Sequence, residues 1–151
     1  MIRHPSRLIH TDSKWQKPKH LMEKLILPDS NIYIDAVRTR TDPFEGFSRN
    51  LDTCEFVTCG MIMLEVCRGF RDPKLLQHFR DRFSVMTYLP TTNAVWEHAV
   101  QLSWSLDRQG KTIPAQDHII AACALQAGAT VLTRDAHFRN IPGLEVIDHL
   151  D

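Results

Sequence analysis

VLTRDAHFRNIPGLEVI, residues Val131–Ile147, carries a short apolar run at each end of a polar turn. The first run, read with Thr130 as TVLT, has the composition of a strand buried on both faces. It leads at once to an acid, Asp135. Aspartate is common at strand exits, where its carboxylate hydrogen-bonds the backbone that follows. The alternative is that Asp135 belongs to a set of carboxylates gathered at one edge of a sheet. The rest of the chain decides between them.

Upstream, AQDHIIAACALQAG reads as an Ala-rich helix that can pack closely and is stopped by Gly128. Before it, TTNAVWEHAVQLSWSLDRQG is the clearest amphipathic helix, with Val95, Ala99, Leu102 and Leu106 at helical spacing and Gly110 as its stop. Farther back, KLIL (Lys24–Leu27), EFVTC and SVMTYL read as strands, and LEVI as a last short one. Between them lie helical stretches: SNIYIDAV capped by Ser30 or Asn31, PFEGFSRNL, GMIMLEVCRGF ending near Gly69, and DPKLLQHFRDRF with Leu75, Leu76 and Phe79 on one face. Strands separated by helices predict βαβ crossovers, hence an α/β fold with a mostly parallel sheet covered on both faces. In such sheets, sites collect at the carboxyl ends of the strands.

The chain has 151 residues, enough for one domain with a real core. It carries 18 basic and 18 acidic side chains, so no global field marks a polyanionic partner. The balance is uneven along the chain. Residues 1–20 hold Arg3, Arg7, Lys14, Lys17 and Lys19 against Asp12 alone, a net of +4, which leaves −4 on the remainder. Residues 1–23 read as a basic extension ahead of the domain. Met22 would also serve as a natural start, and the sequence leaves both readings open. The cysteines Cys54, Cys59, Cys67 and Cys123 form no C-x-x-C pair. Cys67 and Cys123 fall in apolar helical patterns and are expected to be small buried thiols, which predicts a reduced, cytoplasmic protein. The eight histidines lack zinc-site spacing, and no apolar run is long enough to span a membrane.

Four acids stand out by position. Asp29 follows the first strand, Glu65 lies in a short and mostly apolar helix, Asp117 is in the first turn of the Ala-rich helix, and Asp135 follows TVLT. Singly, each has an ordinary explanation as a turn residue or a partner of a helix dipole. Together they do not. Two carboxylates about 4 Å apart repel by roughly 4 kcal/mol at an effective dielectric near 20. Four in one pocket stay ionised only with a cation among them, and an all-oxygen set suits Mg²⁺ or Mn²⁺. A carboxylate-held divalent ion is suited to phosphate chemistry. Neither a Walker-type glycine loop nor a G-x-S-x-G elbow is present.

PDSNIYID, MLEVCRG and IPAQDHIIAACALQAGATVLTRDAHFRNIPGLEVI together resemble the PIN-domain family, in particular the VapC-type toxins of toxin–antitoxin pairs. The resemblance covers about residues 24–148, and D-x-x-I-A-A-x-A-L, T-R-D-x-x-F and I-P-G-L are its most specific parts. It implies a PIN domain over 24–151, a PIN-like α/β/α sandwich, and Mg²⁺-dependent cleavage of RNA. Carried over by position, Asp29, Glu65, Asp117 and Asp135 correspond to catalytic metal ligands, and Asn31 and Thr133 to supporting polar positions. Asp35 falls one turn beyond the site if its helix starts at Ser30, and is expected on a solvated face. Ser30 in place of the usual Thr, Pro28 before Asp29 and Val66 after Glu65 depart from the family pattern without removing an acid.

The resemblance also implies a homodimer and a cognate antitoxin that places a basic side chain in the acidic site. Arg68, Arg71 and Lys74 just beyond Glu65 are candidates to contact RNA, as are Arg38 and Arg40. Trp96 and Trp104, eight residues apart on the long helix, are expected in the core rather than at an interface. Three other readings compete. A PIN nuclease acting in RNA maturation or on structured DNA would keep the same acids. A non-catalytic binding module would be expected to lose them. An Asp-based phosphatase would need a second acid where Asn31 stands.

Overall fold

The computed structural model describes residues 23–151. The basic extension expected over residues 1–23 lies outside them, apart from Glu23. The chain begins with strand β1 (Lys24–Pro28), followed by helices α1 (Ser30–Arg38) and α2 (Pro43–Ser48). Strand β2 (Cys54–Cys59) leads into α3 (Gly60–Arg68) and α4 (Pro73–Ser84), and β3 (Thr87–Leu89) into α5 (Asn93–Arg108) and α6 (Ala115–Ala127). Strand β4 (Thr130–Leu132), a 3-10 turn (Ala136–Asn140) and β5 (Val146–Ile147) complete it. The strands form one sheet in the order β3-β2-β1-β4-β5, and every pairing is parallel. The predicted α/β architecture therefore holds, with a sheet that is parallel throughout. No helix among the described residues is long and apolar enough to cross a membrane.

The strand order carries the functional consequence. From β1 the chain steps to β2 and β3 on one side, then returns to place β4 and β5 on the other. Parallel sheets bind ligands at such a reversal, just beyond the carboxyl ends of the strands. Here the reversal lies between β1 and β4, where Pro28 stands opposite Leu132. Pro28 is tolerated for a local reason. The Asp29 N–H donates to the Leu132 carbonyl at 2.8 Å, so the preceding position turns towards β2. The β1–β2 ladder already stops at Ile26 opposite Phe56, and no bond from residue 28 is needed there.

Helix α1 is pinned by Tyr33, which is fully buried. Its ring meets those of Phe44, Phe47, Phe79 and Phe83 at centroid distances of 5.8, 5.7, 6.4 and 5.2 Å. These contacts gather α1, α2 and α4 into one aromatic cluster, and Phe47 stacks on Phe56 of β2 at 4.4 Å. On α5, Val95, Ala99, Leu102 and Leu106 are all buried, as their spacing predicts, and α5 packs on α6.

Four expectations need correction. Asp29, not Ser30 or Asn31, caps α1, because its carboxylate accepts the Ser30 N–H at 2.8 Å. The buried stripe of α4 is Phe79 and Phe83, while Leu75 and Leu76 are only half-buried. The large rings reach the aromatic cluster and set the rotation of the helix. Cys123 is buried but Cys67 is only half so. Trp96 and Trp104 are 49% and 62% exposed. They lie on the flank of α5, beside the stripe that faces α6.

Two glycines test this backbone. Gly128 ends α6 with φ +67°, a conformation that strains any side chain. Gly46 lies inside α2, where an added Cβ meets nothing within 4 Å. Gly128→Ala should cost about 1 kcal/mol. Gly46→Ala should gain about 0.5–1 kcal/mol. Denaturant melts of the two variants check both signs.

Candidate functional site

The register that sets Pro28 opposite Leu132 brings the next residues, Asp29 and Thr133, together. The Thr133 hydroxyl donates to Asp29 Oδ2 at 2.8 Å and accepts from Asn31 Nδ2 and from the Asp135 N–H, both at 3.0 Å. A hydroxyl has one donor and two acceptor sites, so this one is saturated and its proton is committed to Asp29. Asn31 also donates to Asp29 Oδ2 at 3.2 Å, and its own oxygen accepts the Arg134 N–H at 3.4 Å. Both supporting positions thus act on Asp29, binding the start of α1 to the exit of β4.

Asp29 is only 5% exposed. Burial raises its carboxyl above the ordinary carboxylate range, the bonds from Thr133 and Ser30 pull it back, and the charge of Asp135 raises it again. Asp135 caps the 3-10 turn, with Oδ1 accepting the His137 N–H at 2.9 Å. Glu65 projects from α3, half-buried. Burial raises its carboxyl, with a further upward push from Asp29, against the lowering effects of the Ser30 side chain and Arg68.

Asp117 is held differently. Its helix returns through Gly128 into β4, so the first turn of α6 lies near the carboxyl end of that strand. Asp117 is 8% exposed, and its carboxylate accepts no hydrogen bond from the described residues. Its carboxyl is pushed up to about 7, chiefly by burial, then by the charges of Asp29, Asp135 and Glu65, with His137 opposing. The mutual influence of these groups shows that the fold gathers all four acids singled out in the sequence.

His137 was not among the residues singled out. One ring or carboxylate atom from each of Asp117, Asp135 and His137 lies within 4.8 Å of the other two. The His137 ring nitrogen Nδ1 sits 3.1 Å from Asp135 Oδ1. A histidine two residues after an acid at a strand exit is the one sequence feature that could have marked it, and among eight scattered histidines it does not stand out. Asp35 lies at the surface, half-exposed, and its carboxylate pairs there with Arg134 at 2.9 Å and Arg38 at 3.7 Å, which ties it to the residue before Asp135.

Among the basic candidates, Arg68 alone acts on one of the acids, Glu65. Arg71 and Lys74 are exposed on the approach to α4. Arg40 lines, with Arg49 and Arg134, a cleft between α1, α2 and Asp148–Leu150 that reaches Leu132 at the β4 exit.

An all-parallel α/β sheet with four acids at its switch point defines a class of acid-centred α/β proteins. Residues 26–144 match the PIN domain model, and the chain belongs to the PIN domain family. No curated protein matches it in sequence. Solved structures do match its fold. VapBC2 from Rickettsia felis, bound to a DNA fragment from its promoter, contains a chain with a TM-score of 0.71 at 19% identity, over 82% of this chain and 97% of that one. DNA-bound VapBC from Salmonella typhimurium gives 0.69 at 23% identity, over 83% and 98%. FitAcB from Neisseria gonorrhoeae gives 0.64 at 24%, over 83% and 99%.

Two outcomes follow from the geometry. Thr133→Val leaves Asp29 with one donor fewer in a buried place and should cost about 1–3 kcal/mol in denaturant melts, whereas Thr133→Ser should cost less. The second concerns pH. The Asp117 carboxyl is near 3.8 when unfolded and about 7 when folded, so between those values the native state binds more protons than the unfolded chain. Stability then falls as pH rises through that window. In EDTA, the Tm should drop by several degrees between about pH 4 and pH 7, and Asp117→Asn should flatten most of the drop.

Proposed function

We propose that this chain is a divalent-metal-dependent endoribonuclease of the VapC type, the toxin of a toxin–antitoxin pair acting in the cytoplasm. The observation that carries this is Asp117: a carboxylate 8% exposed with no hydrogen bond from the described residues, its carboxyl raised by burial and by three other acids. A cation beside it would favour its anion. The donor set fits one. Asp29, Glu65, Asp117 and Asp135 would hold Mg²⁺ or Mn²⁺, all through oxygen.

When bound, the ion supplies charge neutralisation for an incoming phosphodiester, polarises its phosphoryl oxygen and lowers the pKa of a water. The chain supplies the arrangement. Thr133 and Asn31 fix the Asp29 carboxylate, and Ser30 restrains both Asp29 and Glu65. Asp135, held by the 3-10 turn, closes the cluster. Arg68, Arg71 and Lys74 on one side would receive the RNA backbone, with Arg40 and Arg134 in the neighbouring cleft, and such contacts carry most of the affinity for a polyanion. The VapBC neighbours are complexes of paired proteins. We extend that to this chain as a homodimer with a cognate antitoxin, whose basic side chain would compensate the same carboxylates that the ion does.

The test is cleavage of total RNA by the purified full chain with Mg²⁺, Mn²⁺ or EDTA, beside Asp29→Asn. Asparagine keeps the helix cap but removes the charge. The expected result is discrete, metal-dependent cuts that weaken about a hundredfold or more in the variant. RNA left intact by folded wild type supplied with metal would sink the nuclease reading.

A further inference from the structure

The four carboxylates alone would make an all-oxygen site, but the structure places a nitrogen among them. We propose that His137 is a direct ligand beside Asp117 and Asp135, and that it biases the site towards first-row transition ions such as Mn²⁺ over Mg²⁺. This inference rests on the metal-dependent reading above and deepens it.

Three observations support it. First, Asp117 is 8% exposed, without a hydrogen bond from the described residues, and aimed at Asp135 and His137. A buried acid so placed has lone pairs open to a cation. Second, His137 Nδ1 and Asp135 Oδ1 are 3.1 Å apart. Neighbouring ligands of an octahedral ion at about 2.1 Å stand about 3.0 Å apart, so this pair already has the spacing of one edge. An Asp117 carboxylate oxygen lies within 4.8 Å of an atom of each of the other two, so a third donor stands beside that edge. Third, the His137 side chain is 55% exposed, so an ion can reach its ring from solvent. The His137 backbone N–H donates to the same Asp135 Oδ1, which fixes the backbone that carries the ring.

The chemistry sets the bias. Mg²⁺ prefers oxygen donors and retains water, whereas imidazole is a good donor to first-row transition ions. Mn²⁺ serves as the probe because it accepts both carboxylate and imidazole and is paramagnetic.

The experiment uses the full chain and His137→Gln, with circular dichroism to confirm that the exposed substitution leaves the fold intact. Mn²⁺ and Mg²⁺ affinities are measured by calorimetry, and the Mn²⁺ complexes by pulsed electron paramagnetic resonance. The expected result is a ¹⁴N coupling from one imidazole in wild type that disappears in the variant. Mn²⁺ affinity should fall about tenfold or more in His137→Gln, while Mg²⁺ affinity moves by less than about twofold. If Mn²⁺ binds without ¹⁴N coupling, or both ions weaken equally, His137 only orients Asp135; the inference fails and the metal site stands. If neither ion binds the folded wild type, both the inference and the metal-dependent reading fail.

Discussion

A single hydrogen bond of 2.8 Å, from the Thr133 hydroxyl to Asp29 Oδ2, joins the exits of β1 and β4, and the site is assembled around it. It exists because the strand order puts β4 beside β1, with Pro28 opposite Leu132. That register leaves Asp29 and Thr133 as the first residues beyond the sheet. A carboxylate at 5% exposure would cost several kcal/mol without partners. Asp29 has them in the Ser30 N–H, the Thr133 hydroxyl and the Asn31 amide. The acid, the helix cap and the strand junction are the same few atoms.

Asp117 shows the opposite treatment of buried charge. Asp29 is surrounded by donors and is fixed; Asp117 has none among the described residues and feels three like charges. The difference lies in orientation: three donors fix the direction of the Asp29 carboxylate and leave it lone-pair capacity, whereas the Asp117 carboxylate is oriented only by its helix. Asp135 and Glu65 fall between, each with some local support and each half-open to solvent.

The sequence was legible wherever a local rule coincided with the global arrangement. Glycine stops, strand composition and the Val95–Leu106 stripe marked elements that the structure contains. The four acids were legible because each stood at a strand exit, a helix start or within an apolar helix, positions where a carboxylate needs a reason. What failed depended on distance in space. Trp96 and Trp104 looked like core by size alone, but the side of α5 that meets α6 was already filled by smaller residues. The pairing of Asp35 with Arg134 was not legible because the two are 99 positions apart in sequence yet 2.9 Å apart in the fold. His137 escaped because one histidine near one acid has no spacing rule. Only the return of α6, which brings Asp117 within reach, gives it a role.

The repulsion among the acids cannot be relieved by moving any one of them. Asp29 caps α1, and α1 is pinned by Tyr33 among four phenylalanine rings. Asp135 caps the turn that carries Phe138 into the core. Asp117 rides on α6, the most deeply buried helix of the domain, whose packing against α5 leaves it no freedom to withdraw. Withdrawal of a carboxylate would therefore break a cap or a packed interface, each costing about as much as the repulsion it removes. His137 and Arg68 relieve part of it, and the raised pKa of Asp117 shows that protonation relieves more. On the metal-dependent reading proposed above, a divalent cation would remove the same repulsion without disturbing a cap, a register or a packed ring, and the fold would hold its acids ready for it.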